Sequence, residues 1–263
     1  MAGFLLINPR SGEGGPTPEE MRDEAASRGI DARILGEGDD LTELARGADA
    51  DALGMAGGDG SLAAIAEVAI ERDLPFVCIP FGTRNHFARD VGLDRDDPIA
   101  ALDAFGGAER RVDVGRVGER LFLNNVALGL YARLVHRRES HRRRRNAFAF
   151  LRAILLSAKE REPLGLTVDG EAVTAKVALV SNNDYRLDLL SLGERDRLDE
   201  GRLHLYTTSG WRLRWEEHGY ERLTIDVAGH RVRAAIDGEP VALVAPLEFS
   251  IEPAALRVLL PPG

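Results

Sequence analysis

Two glycine-rich turns, each between an apolar strand and a helix, constrain the fold of this chain more than any other feature. The apolar run 53–56 leads into Gly-Gly-Asp-Gly-Ser at 57–61, and the run 75–81 leads into Gly-Thr-Arg-Asn-His at 82–86. Apolar residues recur at helical spacing after the first turn. Because consecutive parallel strands are joined by helices, this repeat predicts a parallel sheet covered by helices in the first part of the chain.

The segments before the first glycine turn continue the same alternation. Residues 4–7 and 31–35 are strand candidates, and 41–47 is a short helix candidate. Thr17 is in position to cap a helix that begins at Pro18, since threonine is a preferred N-cap and proline is favoured at the first helical position. This pattern predicts alternating strands and helices from the N-terminus onward.

The pattern changes after about residue 110. Tight turns and strand-like runs dominate from there, which predicts an antiparallel, sandwich-like or barrel-like β domain. A helical insert is predicted near 130–160. The strand-like runs are 111–117, 121–128, 166–168, 172–181, 202–207, 223–227, 232–236 and 241–244.

Composition excludes several classes of protein. The 263 residues include one cysteine, Cys78, so a disulfide scaffold is excluded, and the formal net charge of −9 argues against a nucleic-acid binder. Only Lys159 and Lys176 are lysines, so any phosphate recognition would depend on arginine, backbone N–H groups or a metal. No apolar run reaches the roughly 20 residues that span a bilayer. The N-terminus lacks the basic lead of a signal peptide, so we expect a cytoplasmic protein.

The first glycine turn, at 57–61, has the chemistry of an anion site. Glycines let backbone N–H groups approach a phosphate closely, and the N-terminus of a helix favours negative charge. Ligands of open parallel sheets bind at the carboxyl ends of the strands, where this turn lies. The alternative is a tight strand–helix turn with no ligand. A P-loop is excluded, because no lysine lies near either glycine turn.

The second glycine turn repeats this placement one strand–helix unit later. Thr83 and Asn85 offer short polar groups at the start of a helix, although simple capping explains both equally well. Two such turns in adjacent units would line the same edge of the sheet. This arrangement predicts that both turns face one ligand.

A third candidate is the acidic turn at 236–239, with Asp237 and Glu239. A carboxylate at such a turn can accept a proton from an alcohol or hold a metal. The turn has a twin in Asp169 and Glu171. Exposed hairpin turns are the alternative for both pairs, and the residues alone do not distinguish them.

A basic run at 136–145 precedes an apolar helical run at 147–156. This combination predicts peripheral contact with anionic lipids through 136–158, at the inner face of the membrane. The alternative is a solvated helix end beside a core-facing helix. Nucleic acid is disfavoured as a partner, because no aromatic residues interleave the basic run.

Seven segments, taken in order, resemble the diacylglycerol kinase catalytic-domain family. This family includes bacterial diacylglycerol kinases, related lipid kinases and sphingosine kinases, and it is distantly related to the NAD kinases. The segments span almost the whole chain, in the family's order and with similar spacing. They are 8–12, 57–61, 82–88, 112–115, 182–183, 199–201 and 236–240.

The resemblance implies an ATP-dependent lipid kinase that uses Mg²⁺ and phosphorylates a diacylglycerol-like or sphingoid hydroxyl. It implies a doubly wound, NAD kinase-like nucleotide domain at 1–110 plus 246–263. It also implies a mainly β, sandwich-like substrate domain at 111–245. By the same resemblance, Asp237 is the general base for the lipid hydroxyl and lies near the interdomain cleft.

The resemblance also implies the other site residues. The residues implied to be catalytic are Asp59, Asp237 and Glu239. The residues implied to bind nucleotide are Asn8, Gly57, Gly58, Gly60, Ser61, Thr83, Arg84 and Asn85. The residues implied to serve metals are Asp59 and Asp113, in a magnesium–water network, and Glu200, in a structural metal loop.

The chain departs from the family pattern at three positions. Arg84 and His86 stand where glycine and aspartate are usual, and Ser61 stands where threonine is usual. Loss of the carboxylate at 86 thins the implied magnesium network, whereas Arg84 offers a direct contact to phosphate. A non-catalytic nucleotide- or lipid-binding homologue and an NAD kinase-like enzyme therefore stay open as alternatives. The identity of the lipid and homodimer formation stay open as well.

Overall fold

The computed structural model describes residues 2–11, 15–82, 85–129, 164–186, 194–208 and 215–262. The chain divides into two compact units. The first unit comprises Met1–Val114 and Pro253–Gly263, and the second comprises Gly115–Glu252.

The first unit contains a parallel sheet with helices between its strands. Its strands run in the order β2-β1-β3-β4, all parallel, and the last part of β16 lies parallel to β4 through the pair Val258 and Phe76. The elements are β1 (Gly3–Ile7), α1 (Pro18–Ser27), β2 (Ile30–Ile34), α2 (Leu41–Gly47), β3 (Ala52–Gly57), α3 (Asp59–Glu71), β4 (Phe76–Pro80), α4 (His86–Asp90), a 3-10 helix (Ala100–Gly106), β5 (Ala108–Val117) and the end of β16 (Leu247–Leu260).

Local sequence signals explain where the helices of this unit begin. The Thr17 hydroxyl accepts the N–H of Glu20 at 3.1 Å, and the Glu20 carboxylate accepts the N–H of Thr17 at 2.7 Å, which forms a capping box. Asp40 caps α2 by accepting the N–H groups of Thr42 and Glu43. Strands β3 and β4 are buried along their whole length, as expected for central parallel strands.

The second unit is built from antiparallel strands in two sheets. One sheet has the order β12-β11-β10-β7-β14-β15, and the other pairs β16 with β13, β13 with β8 and β8 with β9. The elements of this unit are β6 (Arg120–Phe122), β7 (Asn125–Leu128), β8 (Leu166–Val168), β9 (Glu171–Val173), β10 (Val177–Asn182), β11 (Leu203–Thr208), β12 (Glu216–Tyr220), β13 (Arg222–Val227), β14 (Arg231–Ile236) and β15 (Glu239–Val244).

The core of the second unit joins residues from both of its sheets. Val126 and Val180 of the six-stranded sheet share one buried apolar cluster with Ile225 and Phe249 of the other sheet. Two sheets that bury facing apolar sides form a β sandwich. The predicted fold class, a doubly wound α/β domain followed by a mainly β, sandwich-like domain, is confirmed.

The predicted domains, 1–110 plus 246–263 and 111–245, stay a prediction. The sequence placed their limits at 110/111 and 245/246, whereas the compact units divide after Val114 and Glu252. The physical reason is that β5 and β16 are long strands that continue from one unit into the other. The change of pattern near residue 110 coincides with the beginning of β5 (Ala108–Val117).

The predicted helical insert near 130–160 and the basic run within 136–158 lie outside the described residues. Membrane contact through that segment therefore stays a prediction. Within the part of the chain that the structure describes, no helix combines the length and the apolar character needed to cross a bilayer.

Gly107, which precedes β5, lies against the backbone at the end of β16. A Cβ on Gly107 would lie 1.7 Å from the carbonyl oxygen of Leu260, whereas a Cβ on Gly106 would meet no atom within 4 Å. We expect Gly107→Ala to lower the free energy of unfolding by about 3 kcal/mol, because the backbone of β16 would have to move. Urea unfolding should show this loss and only a small change for Gly106→Ala. Equal stability of the two variants would contradict the close contact.

Candidate functional site

Three segments of the first unit meet where its parallel strands end. Asn8 follows β1 directly, and its side-chain amide donates to the hydroxyl of Ser61, in the first turn of α3, at 3.3 Å. The backbone N–H of Asn8 donates to the carbonyl of Ala56, near the end of β3, at 2.9 Å. The carboxyl edge of the sheet thus joins Asn8 to the first glycine turn, which is the edge where open α/β sheets bind ligands.

Among the residues that the structure describes, no side chain forms a cap hydrogen bond at the N-terminus of α3. The N-cap residue Gly58 has an extended backbone and no side-chain cap hydrogen bond, and a Cβ on Gly58 would meet no atom within 4 Å. The N–H groups of Ser61 and Leu62 donate to the Gly58 carbonyl at 2.9 and 3.0 Å. The two residues before them, Asp59 and Gly60, have no helical acceptor for their N–H groups. This end of α3 has the backbone donors and the space of an anion site.

The two glycine turns contact each other through Gly82. A Cβ on Gly82 would lie 2.7 Å from the Cα of Gly58 and 3.1 Å from the carbonyl oxygen of Gly57. Only glycine allows two backbone segments to come this close without displacement. The structure therefore brings both turns to one place, at the N-terminus of α3.

Asn85 closes the second turn. Its backbone is left-handed, with φ +48°, which asparagine tolerates better than most residues. Its side-chain oxygen accepts the N–H of Gly82 and its side-chain NH₂ donates to the carbonyl of Gly82, both at 2.8 Å. These contacts give Asn85 a turn-closing role, in addition to the nucleotide contact that the resemblance implies. Thr83 and Arg84, also predicted to contact nucleotide, lie outside the described residues.

Asp59 connects α3 to the start of α4. Its carboxylate accepts the N–H of Phe87 at 3.2 Å and the N–H of His86 at 3.4 Å, and the residue is 7% exposed. A carboxylate at a helix N-terminus satisfies first-turn donors and is stabilised by the helix dipole. Asp59 therefore fixes the two glycine turns relative to each other, in addition to the magnesium role that the resemblance implies.

Asp113, the second residue implied for the magnesium network, lies on β5 and is 2% exposed. Its carboxylate accepts the N–H of Ala254, on β16, at 2.7 Å. Ala254 has φ +52°, a left-handed conformation that is unfavourable for alanine. Asp113 thus fastens an irregular point of β16 within the first unit.

In the second unit, three consecutive backbone N–H groups surround the carboxylate of Asp237. Leu123 donates to one oxygen at 2.8 Å, and Asn124 and Asn125 donate to the other at 2.8 and 3.0 Å. The sequence predicted one strand over 121–128, but the structure breaks it between β6 and β7 so that these N–H groups turn toward Asp237. These three bonds fix the orientation of the carboxylate.

The twin turn at Asp169 differs from the turn at Asp237. Both aspartates have left-handed backbones, but Asp169 is exposed and its carboxylate accepts the N–H of Thr224 at 2.8 Å. Asp237 is 7% exposed. Burial of a carboxylate with several N–H donors distinguishes Asp237 as the functional candidate, a choice that the residues alone did not allow. Glu239 lies on β15 and is exposed.

Glu200, implied to hold a structural metal, contacts the turn at 183–184. Its carboxylate accepts the N–H of Asp184 at 2.9 Å and lies 3.3 Å from Nε2 of His204. Sequence reasoning missed that Asp184, His204 and Glu217 bring ligand atoms within 4.8 Å of one another. No spacing pattern reveals this group, because its members come from three separate segments. The His204 ring lies between the carboxylates of Glu217, 2.9 Å from Nδ1, and Glu200, 3.3 Å from Nε2, and these contacts account for the geometry.

Tyr206 borders this group and contacts Asp184 through its hydroxyl. Burial, together with the hydrogen bond to Asp184, raises the pKa of the Tyr206 phenol. Burial also raises the pKa of the Cys78 thiol, on β4. Neither group is activated as a nucleophile, since both are held in the neutral form at neutral pH.

Comparisons with known proteins give matches that agree with one another. The sequence profile of the "Diacylglycerol kinase catalytic domain" matches residues 2–117. A protein named "Diacylglycerol kinase" from Mycobacterium tuberculosis (strain H37Rv) is 29% identical, over 97% of this chain and 94% of the relative. A Pseudomonas fluorescens protein named "Probable lipid kinase YegS-like" is 44% identical over 28% of this chain and 25% of its own length.

The fold has relatives among solved structures. The crystal structure of a diacylglycerol kinase from Bacillus anthracis str. Sterne matches with a TM-score of 0.70, over 98% of this chain and 96% of that chain, at 17% identity. At this identity the match shows the fold. The sequence relatives support a phosphotransferase of the lipid-kinase type. The match of residues 2–117 to the family model and the full-length similarity to the M. tuberculosis protein support the diacylglycerol kinase catalytic-domain family for this chain.

Proposed function

We propose that this chain is an ATP-dependent lipid kinase, which transfers the γ-phosphate of ATP to the hydroxyl of a lipid. The observation that carries the proposal is the buried carboxylate of Asp237, fixed by three backbone N–H groups. A fixed, charged carboxylate can accept a hydrogen bond from an alcohol and then its proton. The named activity of the M. tuberculosis relative supports a lipid as the source of that alcohol.

The phosphates of ATP are assigned to the N-terminus of α3. The residues fit this group, because the N-cap residue Gly58 makes no side-chain cap hydrogen bond and a Cβ on it would meet no atom within 4 Å. The N–H groups of Asp59 and Gly60 would donate to phosphate oxygens, and Asn8 and Ser61 border the same helix end. Arg84, between Gly82 and Asn85, is the cation proposed to contact the moving phosphoryl group.

Asp59 and Asp113 are the carboxylates proposed for Mg²⁺. When bound with ATP, Mg²⁺ neutralises negative charge on the phosphates. Both side chains are largely buried, and each already accepts backbone N–H groups. They fit contact with the metal through bound water better than direct coordination, since Mg²⁺ usually keeps several water ligands. Glu200 is proposed separately for a structural cation.

The proposed reaction is a direct displacement at phosphorus. The lipid hydroxyl oxygen forms a bond to the γ-phosphorus as the bond from that phosphorus to the bridging oxygen of ADP breaks. The hydroxyl proton passes to the Asp237 carboxylate. Phosphoryl transfer needs positioning and charge neutralisation more than covalent catalysis, so the fixed orientation of Asp237 contributes as much as its basicity.

The activity test is transfer of ³²P from γ-labelled ATP to lipids in mixed micelles. We expect labelled lipid with at least one member of a panel comprising a diacylglycerol, a sphingoid base and another long-chain alcohol. Transfer should require Mg²⁺ and stop when EDTA is added, because the phosphate charge would no longer be neutralised. Transfer that persists in EDTA would contradict the assigned metal role.

The same experiment separates the alternatives. If NAD is added as an acceptor, transfer of ³²P to NAD with no transfer to any lipid would identify an NAD kinase-like enzyme. Binding of ATP in calorimetry without transfer to any lipid, in Mg²⁺ or Mn²⁺, would identify a non-catalytic nucleotide-binding homologue. His86 in place of the usual carboxylate is the sequence feature that favours this last outcome.

A further inference from the structure

A buried arginine, Arg195, contacts the same segment, 123–125, whose backbone N–H groups bind Asp237. Arg195 is 6% exposed. Its guanidinium donates to the carbonyl oxygens of Leu123 and Asn182 at 2.7 and 3.1 Å, and to the side-chain oxygen of Asn124 at 2.9 Å. The local sequence, Gly-Glu-Arg-Asp-Arg at 193–197, is wholly polar and gives no sign that one arginine is buried.

One peptide group connects Arg195 to Asp237 directly. The carbonyl oxygen of the Leu123–Asn124 peptide accepts from Arg195 at 2.7 Å, and the N–H of the same peptide donates to Asp237 at 2.8 Å. A cation at the oxygen polarises the amide and makes its N–H a stronger donor, since linked hydrogen bonds strengthen one another in a low-dielectric interior. The charge of Arg195 therefore acts on Asp237 through a single amide.

Further contacts of Arg195 and of its neighbours hold the guanidinium in this orientation. Its guanidinium carbon lies 5.4 Å from the centre of the Tyr185 ring, a cation–π contact. The Tyr185 hydroxyl accepts the side-chain NH₂ of Asn125 at 3.2 Å, and Asn182 donates its side-chain NH₂ to the Leu123 carbonyl at 3.0 Å. The break between β6 and β7 is thus held on one side by Asp237 and on the other by Arg195 and its neighbours.

We propose that Arg195 is a positioning residue for Asp237, which acts by polarising and holding the Leu123–Asn124 peptide whose N–H fixes the carboxylate. The proposal rests on the proposed function only for its effect on catalysis. Lysine cannot replace Arg195 fully, because an ammonium is a point donor whereas the guanidinium fork bonds three acceptors at once.

The test compares Arg195→Met, Arg195→Lys and the control Arg222→Met, which alters an exposed arginine of β13 in the same unit. Arg195→Met should lower kcat for lipid phosphorylation about 10- to 100-fold and leave the KM for ATP within about twofold, since the misplaced group acts in the transfer step. Hydrogen exchange measured by mass spectrometry should rise at the amides of 123–125. Arg195→Lys should give an intermediate loss, and Arg222→Met should match the wild type.

A folded Arg195→Met protein with wild-type kcat, or with wild-type exchange at 123–125, would overturn the proposal. If Arg195→Met does not fold, Arg195→Lys decides by the same two measurements. Failure of both variants to fold would also overturn the proposal, because Arg195 would then be needed only for the stability of the fold. If the wild-type protein phosphorylates no lipid, the proposed function fails, and the exchange data alone decide on Arg195.

Discussion

Asp237→Asn should reduce transfer of phosphate to lipid by roughly 100- to 10,000-fold, the usual contribution of a general base. The amide of asparagine cannot take up the hydroxyl proton. The turn itself should persist, because asparagine tolerates the left-handed backbone that Asp237 adopts, with φ +48°. Binding of ATP, assigned to the first unit, should be unchanged in calorimetry.

The substitution should also have a modest cost in stability. One carboxylate oxygen becomes an NH₂ group that faces a backbone N–H of the 123–125 segment, and an unsatisfied buried donor costs about 1–3 kcal/mol. Activity is therefore compared at a temperature where urea unfolding shows both proteins folded. Asp169→Asn is the matched control, because Asp169 occupies the twin turn, is exposed and also has a left-handed backbone. Retained turnover in folded Asp237→Asn would remove Asp237 from the proposed role.

Periodicity and capping were enough to predict the alternating strands and helices of the first unit, whereas the return of the C-terminal segment to it was implied only by the resemblance. Strands β1, β3 and β4 are short apolar runs, and α1 begins at the recognisable cap Thr17, so these elements are specified by neighbouring sequence. Strand β12 shows the opposite case. Its sequence, Glu-Glu-His-Gly-Tyr, has no apolar alternation, and it forms because it pairs with β11 at the edge of the sheet.

The break at Leu123–Asn124 could not be predicted, because its cause is distant in sequence. Asn124 and Asn125 interrupt the apolar run 121–128, but the local sequence does not reveal that Asp237 accepts the N–H of Asn125 across 112 positions. Arg195 is equally hidden, since its burial depends on carbonyl groups of other segments. Residue types at local spacing revealed the glycine turns, whereas the network that orients Asp237 is entirely non-local.

Asp59, a predicted site residue, also has a structural role. The family resemblance implied that it belongs to a magnesium–water network near the phosphates. The structure shows its carboxylate bonded to the first N–H groups of α4, which lies one strand–helix unit later. A sequence motif cannot reveal these hydrogen bonds, because both donors are backbone N–H groups. Their position depends on the close approach of Gly82 to the first turn.

Gly58→Val should weaken ATP binding about 10- to 100-fold while the protein stays folded. The side chain would stand in the open space before α3, where no protein atom lies within 4 Å of a Cβ. The loss corresponds to about one charge-assisted hydrogen bond between backbone N–H and phosphate, worth roughly 1.5–3 kcal/mol. Stability should fall by only about 1 kcal/mol, the cost of a poor N-cap residue, since the Gly58 backbone is extended and accessible to valine.

Two other glycine variants turn this expectation into a test of where ATP binds. Gly82→Ala should lower stability, because its Cβ would lie 2.7 Å from the Cα of Gly58. Gly47→Val, in α2, should leave ATP affinity unchanged, because a Cβ there also meets no atom within 4 Å but lies outside both glycine turns. Calorimetry with Mg²⁺–ATP and urea unfolding on the same preparations separate the two effects. Wild-type ATP affinity in folded Gly58→Val would mean that the phosphates do not occupy the N-terminus of α3, because a valine side chain and a bound phosphate cannot share that space.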